Sequence, residues 1–147
     1  MEDIEFMKLA LGQARLAAKE NEVPVGAVVV KEGKVIALAH NTREKDLDIS
    51  GHAEIKALQE AAKKLGTWTL EGCSLYVTLE PCLMCGGAIL QSRLSYLCFG
   101  AKDEKEGAVV SSYHIFDQIK DAPLVSFGLL ENECQTVLKE FFASRRG

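Results

Sequence analysis

Two short stretches carry residues whose types and spacing suit metal chemistry: "HAE" at 52–54 and "PCLMC" at 81–85. Cys82 and Cys85 stand at i and i+3, so in the first turn of a helix both thiols lie on one face and can hold one ion. The positive end of the helix dipole also favours thiolates there. A Cys-x-x-Cys pair admits three readings: a redox switch, half of a structural zinc clip, or two ligands of a catalytic metal. His52 completes a His/Cys/Cys set. The fourth tetrahedral position is then free for water, which separates a catalytic zinc from a closed structural one. A structural site needs a fourth protein ligand, but Cys73, Cys98 and Cys134 sit at apolar-patterned positions and read as core thiols. His40 and His114 read as surface or satisfied core histidines.

Glu54 adds the decisive group. Two residues beyond His52, it can reach the water without binding the ion. Zinc lowers the pKa of water from about 15.7 to about 7, a change worth on the order of 12 kcal/mol. A carboxylate beside that water can take its proton and hand it to a leaving nitrogen, as hydrolytic deamination requires. The joint pattern favours a catalytic zinc, with one ion per chain.

These residues need elements to hold them. Residues 4–21 pattern as a helix with Ile4, Met7, Leu11, Ala14 and Ala18 on its apolar face. "VPVGAVVV" (23–30) and "KVIALAH" (34–40), joined through Gly33, predict a hairpin. A polar loop over 41–51 leads to a helix from His52, with Ile55, Leu58, Ala62 and Leu65 inward and Gly66 as its stop. "CSLYVTL" (73–79) predicts a buried strand ended by Pro81, and a helix follows from Cys82. Gly86 and Gly87 cost such a helix about 1 kcal/mol each, which implies close packing against a neighbour or a site. Strands at 96–100 and 123–127, with a further helix between them, precede a closing helix with Cys134, Val137, Leu138, Phe141 and Phe142 inward. Strands separated by helices predict a largely parallel sheet with helices on both faces, made mixed by the opening hairpin. Both metal-binding stretches then sit at strand-to-helix mouths, where ligands bind in such sheets.

Composition bounds the rest. The chain has 147 residues, 48% of them hydrophobic and 26% charged, which fits a single soluble domain over 1–147. The first residues are charged and amphipathic rather than a signal peptide, and no apolar run spans a bilayer, so the expected location is cytoplasmic with no membrane partner. Five cysteines, an odd number, argue for thiols rather than a disulfide framework. The net charge of −4 removes any whole-molecule argument for nucleic-acid binding, leaving only a local basic patch.

The His-x-Glu and Pro-Cys-x-x-Cys pair resembles the cytidine/adenosine deaminase superfamily. "EVPVGAVVV", "AHN", "HAEI", "LYVTLEPCLMCGGAI" and "FGAKD" resemble more narrowly the bacterial tRNA adenosine deaminases, from the first helix to about Gly107. The resemblance implies a three-layer α/β/α sandwich around a five-stranded mixed sheet, usually in a homodimer. It implies His52, Cys82 and Cys85 as zinc ligands and Glu54 as proton shuttle. Asn41 corresponds to an asparagine that hydrogen-bonds the purine, and Val25 to a pocket wall. The Ala53 backbone would face the reacting base edge, and Asp103 would stand near the nucleic-acid rim. The implied substrate is the wobble adenosine of a tRNA anticodon loop, converted to inosine. "ISG" (49–51) replaces the usual Pro-Thr-Ala, residues 107–127 lack the usual Gly-Ser and Asn-His, and the basic tail is only "SRRG". These departures keep open a free base or nucleoside substrate, such as guanine or cytosine. A non-catalytic RNA-binding subunit with a structural zinc is a third reading, which Glu54 disfavours.

Overall fold

Side chains alternate along the inner strands between two separate cores, and that alternation sets the layers. In the computed structural model, which describes residues 2–146, the chain forms ten elements. They are α1 (Asp3–Lys19), β1 (Gly26–Lys31), β2 (Lys34–His40), α2 (Arg43–Asp46), α3 (Ala53–Leu65), β3 (Cys73–Leu79), α4 (Leu83–Ser92), β4 (Tyr96–Ala101), β5 (Leu124–Phe127) and α5 (Glu131–Arg146). Gly147 of the basic tail lies outside the described residues. The five strands make one sheet in the order β2-β1-β3-β4-β5. Ala27, Val29, Leu75, Val77, Leu97 and Phe99 turn to one face, against α3 and α4. Val28, Val30, Tyr76 and Cys98 turn to the other, against α1 and α5. The result is the expected three-layer sandwich around a mixed sheet.

The mixture arises from one strand. β1 runs antiparallel to both neighbours, β2 and β3, while β3, β4 and β5 are mutually parallel. β2 and β3 therefore point the same way, and α3 crosses over β1 to join them. The ends of β2 and β3 open on one edge of the sheet, and α3 and α4 both start there.

Several elements differ from the sequence expectation. The α1 face is rotated: Phe6, Met7, Ala10, Leu11, Ala14 and Ala17 are buried, while Ile4 is 37% exposed. Gly26 explains the seating of that helix, because a Cβ there would run into the Ala10 carbonyl and the Ala14 nitrogen. α1 and β1 touch backbone to backbone. The loop over 41–51 contains the single-turn α2, and no helix forms between β4 and β5. Close packing is found at Gly86, where a Cβ would strike Ile115, but Gly87 faces nothing within 4 Å. In α5 Cys134 and Phe141 are buried, whereas Phe142 is exposed. Among the described residues no helix is long and apolar enough to cross a membrane.

Candidate metal centre and active-site cleft

His52 and Cys82 are the residues immediately before α3 and α4, both in extended conformation, and neither side chain caps its own helix. The imidazole and thiol are thereby left free to point outward, with two helix N-termini converging behind them. Asn41 supplies the cap that His52 does not: its Oδ1 accepts the Ala53 N–H at 2.9 Å, and its Nδ2 donates to the Val23 carbonyl at 3.0 Å. His52 Nδ1 lies 3.7 Å from Cys82 Sγ and 3.4 Å from Cys85 Sγ. One donor atom from each of His52, Cys82 and Cys85 falls within 4.8 Å of the others. One nitrogen and two sulfurs at that spacing are a set that can hold a metal ion.

Charge is arranged sharply around these atoms. A hydrogen bond from Cys85 and another from His52 hold the Cys82 thiol far below its ordinary value. Cys85 moves the opposite way, because it shares its proton with Cys82 and is buried. The bond to Cys82 raises His52. Burial pushes the Glu54 carboxyl up to about 7. Glu54 is 4% exposed, and its Oε1 is buried without a hydrogen-bond partner. An orphaned carboxylate oxygen beside three metal donors is costly unless something else occupies the space.

The cluster sits in a cleft of about 780 Å³ that is lined by Val25, Asn41, His52, Glu54 and Cys82 at the bottom. Arg43, Lys102, Lys105, Phe142 and Arg145 stand around its mouth. Arg145 lies 4.7 Å over the Phe141 ring and donates to the Asn21 carbonyl at 2.8 Å, which ties α5 to the end of α1.

Residues 1–146 match the MafB19-like deaminases. The chain belongs to that deaminase family. It is 46% identical to the tRNA-specific adenosine deaminase of Aquifex aeolicus, over 96% of this chain and 94% of that protein. A solved structure from work on A-to-I editing by tRNA:A34 deaminases at the wobble position superposes with a TM-score of 0.88 at 46% identity. That match covers 91% of this chain and 99% of the other. The guanine deaminase of Nitrosomonas europaea superposes with a TM-score of 0.85 at 26% identity, over 97% and 85%.

The deaminase brings most of the residues singled out in its sequence to this cleft. Val25, Asn41, His52, Glu54, Cys82 and Asp103 line it, and Cys85 is buried beside it. Ala53 is fully buried, its N–H is given to Asn41, and it is not among the residues that line the cleft. Asp103 folds back on its own turn, its Oδ1 accepting the N–H groups of Lys105 and Glu106 at 3.1 Å each. Cys73, Cys98 and Cys134 are buried core thiols, and His40 is held between Gln13 and Glu20.

Two buried carboxylates of the deaminase escaped the sequence reading. Glu22 accepts the N–H groups of Glu44 at 3.1 Å and Lys45 at 2.7 Å, and so holds α2 at the cleft. Glu80 accepts bonds from Asp103, Val109, Val110 and Ser111. Ser111 and the surrounding backbone donors keep the Glu80 carboxyl below its usual value despite burial. The available signal was an acid between Leu79 and Pro81, where a strand patterned for the core has no use for a solvated charge.

Proposed function

We propose that this deaminase hydrolyses the wobble adenosine of a tRNA anticodon loop to inosine, using one zinc ion per chain held by His52, Cys82 and Cys85. The chemistry rests on one observation: Glu54 is buried beside a nitrogen-and-two-sulfur donor set with one oxygen unclaimed by the protein. The choice of substrate rests on the 46% identity to a tRNA-specific adenosine deaminase over nearly the whole of both chains.

The donor set suits zinc, and the unclaimed oxygen leaves a place for the water that a three-ligand site requires. When bound there, zinc would act as a Lewis acid that makes water acidic near neutral pH. Glu54 then carries the protons. Its carboxylate takes one from water, passes it to the purine ring nitrogen, and assists the departure of ammonia as the C6–O bond replaces the C6–N bond. A buried carboxyl that lines the cleft beside the donor set suits a group that must both accept and return a proton. Asn41 lines the cleft and has one amide N–H beyond that given to Val23, which on this reading donates to the base. Val25 forms an apolar wall for the ring. A base splayed from a single-stranded loop can enter such a site, with flanking phosphates against Arg43, Lys102, Lys105 and Arg145.

The chain acts on this reading as one domain, since α1 and α5 from its two ends share one core. A cytoplasmic homodimer belongs to the same reading; Leu83 and Met84, exposed at the start of α4, are available to a partner. A free purine is the second reading, favoured by the likeness to a guanine deaminase and by Glu44, Glu104 and Glu106 among the cations of the rim. Ammonia release decides between them. The tRNA reading expects release from an anticodon stem-loop bearing a wobble adenosine and none from guanine, adenine or cytosine. Release from a free base with none from the stem-loop would replace it.

A further inference from the structure

We infer that Glu80 is a positioning residue for substrate, clamping the 103–111 loop to the start of α4 and so fixing the rim of the cleft relative to the metal ligands. The inference rests on the deaminase reading above and concerns how that site holds its substrate.

Glu80 leaves β3 just before Pro81 and Cys82, and it is 2% exposed. Its Oε2 accepts three consecutive backbone N–H groups, from Val109 at 3.1 Å, Val110 at 2.8 Å and Ser111 at 3.0 Å. Its Oε1 accepts the Asp103 N–H at 3.1 Å and the Ser111 hydroxyl. One carboxylate therefore collects donors from both ends of the loop. Successive amides converging on one oxygen form the concavity that elsewhere binds a free anion, and here the anion is part of the chain. Backbone bonds reinforce the join: Ala108 N–H to Pro81 O at 2.9 Å, and Glu80 N–H to Ala101 O at 2.8 Å. Gly107 lies where a Cβ would run into the Glu80 carboxyl and the Asp103 carbonyl, so the loop is drawn in as far as a glycine permits.

That loop presents Asp103 and Lys105 to the cleft, and Lys102 precedes it. Glu80 is outside the His52, Cys82 and Cys85 donor group, and both of its oxygens are occupied by the protein. Glu80 itself reaches the cleft lining, but with both oxygens committed to the loop its influence on turnover passes through that loop. A small displacement of a rim weakens binding of an extended substrate before it disturbs the reacting atoms.

Glu80→Gln tests this. The new amide directs N–H donors at the N–H donors of the loop, where a carboxylate offered only acceptors. We expect KM for the anticodon stem-loop to rise about tenfold while kcat stays within about threefold. Zinc per chain, by elemental analysis, should be unchanged, and hydrogen exchange at amides 109–111 should accelerate while the α3 amides keep their rates. Ser111→Ala removes only the hydroxyl bond and should shift KM in the same direction by about two- to threefold. Zinc loss, a fall in kcat with KM unmoved, or unaltered exchange at 109–111 would overturn the assignment. Should Glu80→Gln fail to fold, Ser111→Ala decides alone, and an unchanged KM in that variant overturns it. Wild-type protein that forms no inosine counts against the tRNA reading only, and exchange at 109–111 then decides the role of Glu80.

Discussion

On the proposed mechanism Glu54 and Asn41, both lining the cleft, have different tasks, and substitutions separate them. Glu54→Gln keeps the shape of the side chain but cannot take a proton. It should lower kcat by about 10²- to 10⁴-fold with zinc content intact, as single-turnover kinetics and elemental analysis will report. Cys85→Ser should instead lose the metal and the activity together. Asn41→Ala leaves the Ala53 N–H and the Val23 carbonyl without partners, so it should cost about 1–2 kcal/mol in denaturant unfolding as well as raising KM. At this scale the sequence was most legible where chemistry dictates spacing. The grouping of His52, Cys82 and Cys85 could be read because donors able to share one ion recur in short patterns at helix starts. Glu22 and Glu80 could not, because their partners are backbone amides from aperiodic segments that no side-chain pattern announces.

Among the elements, strands were easier to read than the contacts between layers. β2 and β3 fall on the residues expected from their patterning, since both faces of β3 are covered and β-branched and apolar residues mark it. The α1 face differs from the expectation because the helix approaches the sheet closely at Gly26, against Ala10 and Ala14, and Phe6 and Ala17 are buried with them. Gly26→Ala should therefore destabilise the fold by about 1–3 kcal/mol or more, measurable as a lowered denaturant midpoint. The helix expected between β4 and β5 is absent, and the amides of Val109, Val110 and Ser111 bond the Glu80 carboxylate in an aperiodic loop.

The start of α1 supplies a pH test. The Tyr76 hydroxyl donates to Asp3 Oδ1 at 2.6 Å, and burial together with this bond raises the phenol above its ordinary value. A raised folded pKa means its contribution is full below about pH 10, the unfolded value, and is lost as the pH climbs beyond it. Stability should fall as the pH rises above about 10, and Tyr76→Phe should flatten that fall.

For the whole molecule, the net charge of −4 sets a limit on how RNA can be held. The cations at the cleft mouth are Arg43, Lys102, Lys105 and Arg145, interspersed with acids, so phosphate contacts must be few and local. KM for the stem-loop should rise with salt, with a logarithmic slope below about 3, the limit if four phosphates were neutralised on a single strand. A steeper slope would mean that cations beyond this cleft take part. The central claim, that Glu54 drives hydrolysis of a wobble adenosine at this centre, is tested most directly on a full-length tRNA with adenosine at that position. Inosine read as guanosine after reverse transcription should accumulate at the wobble site with zinc-loaded wild type, and not with zinc-loaded Glu54→Gln. Equal conversion by both proteins, or none by the wild type, would contradict the account.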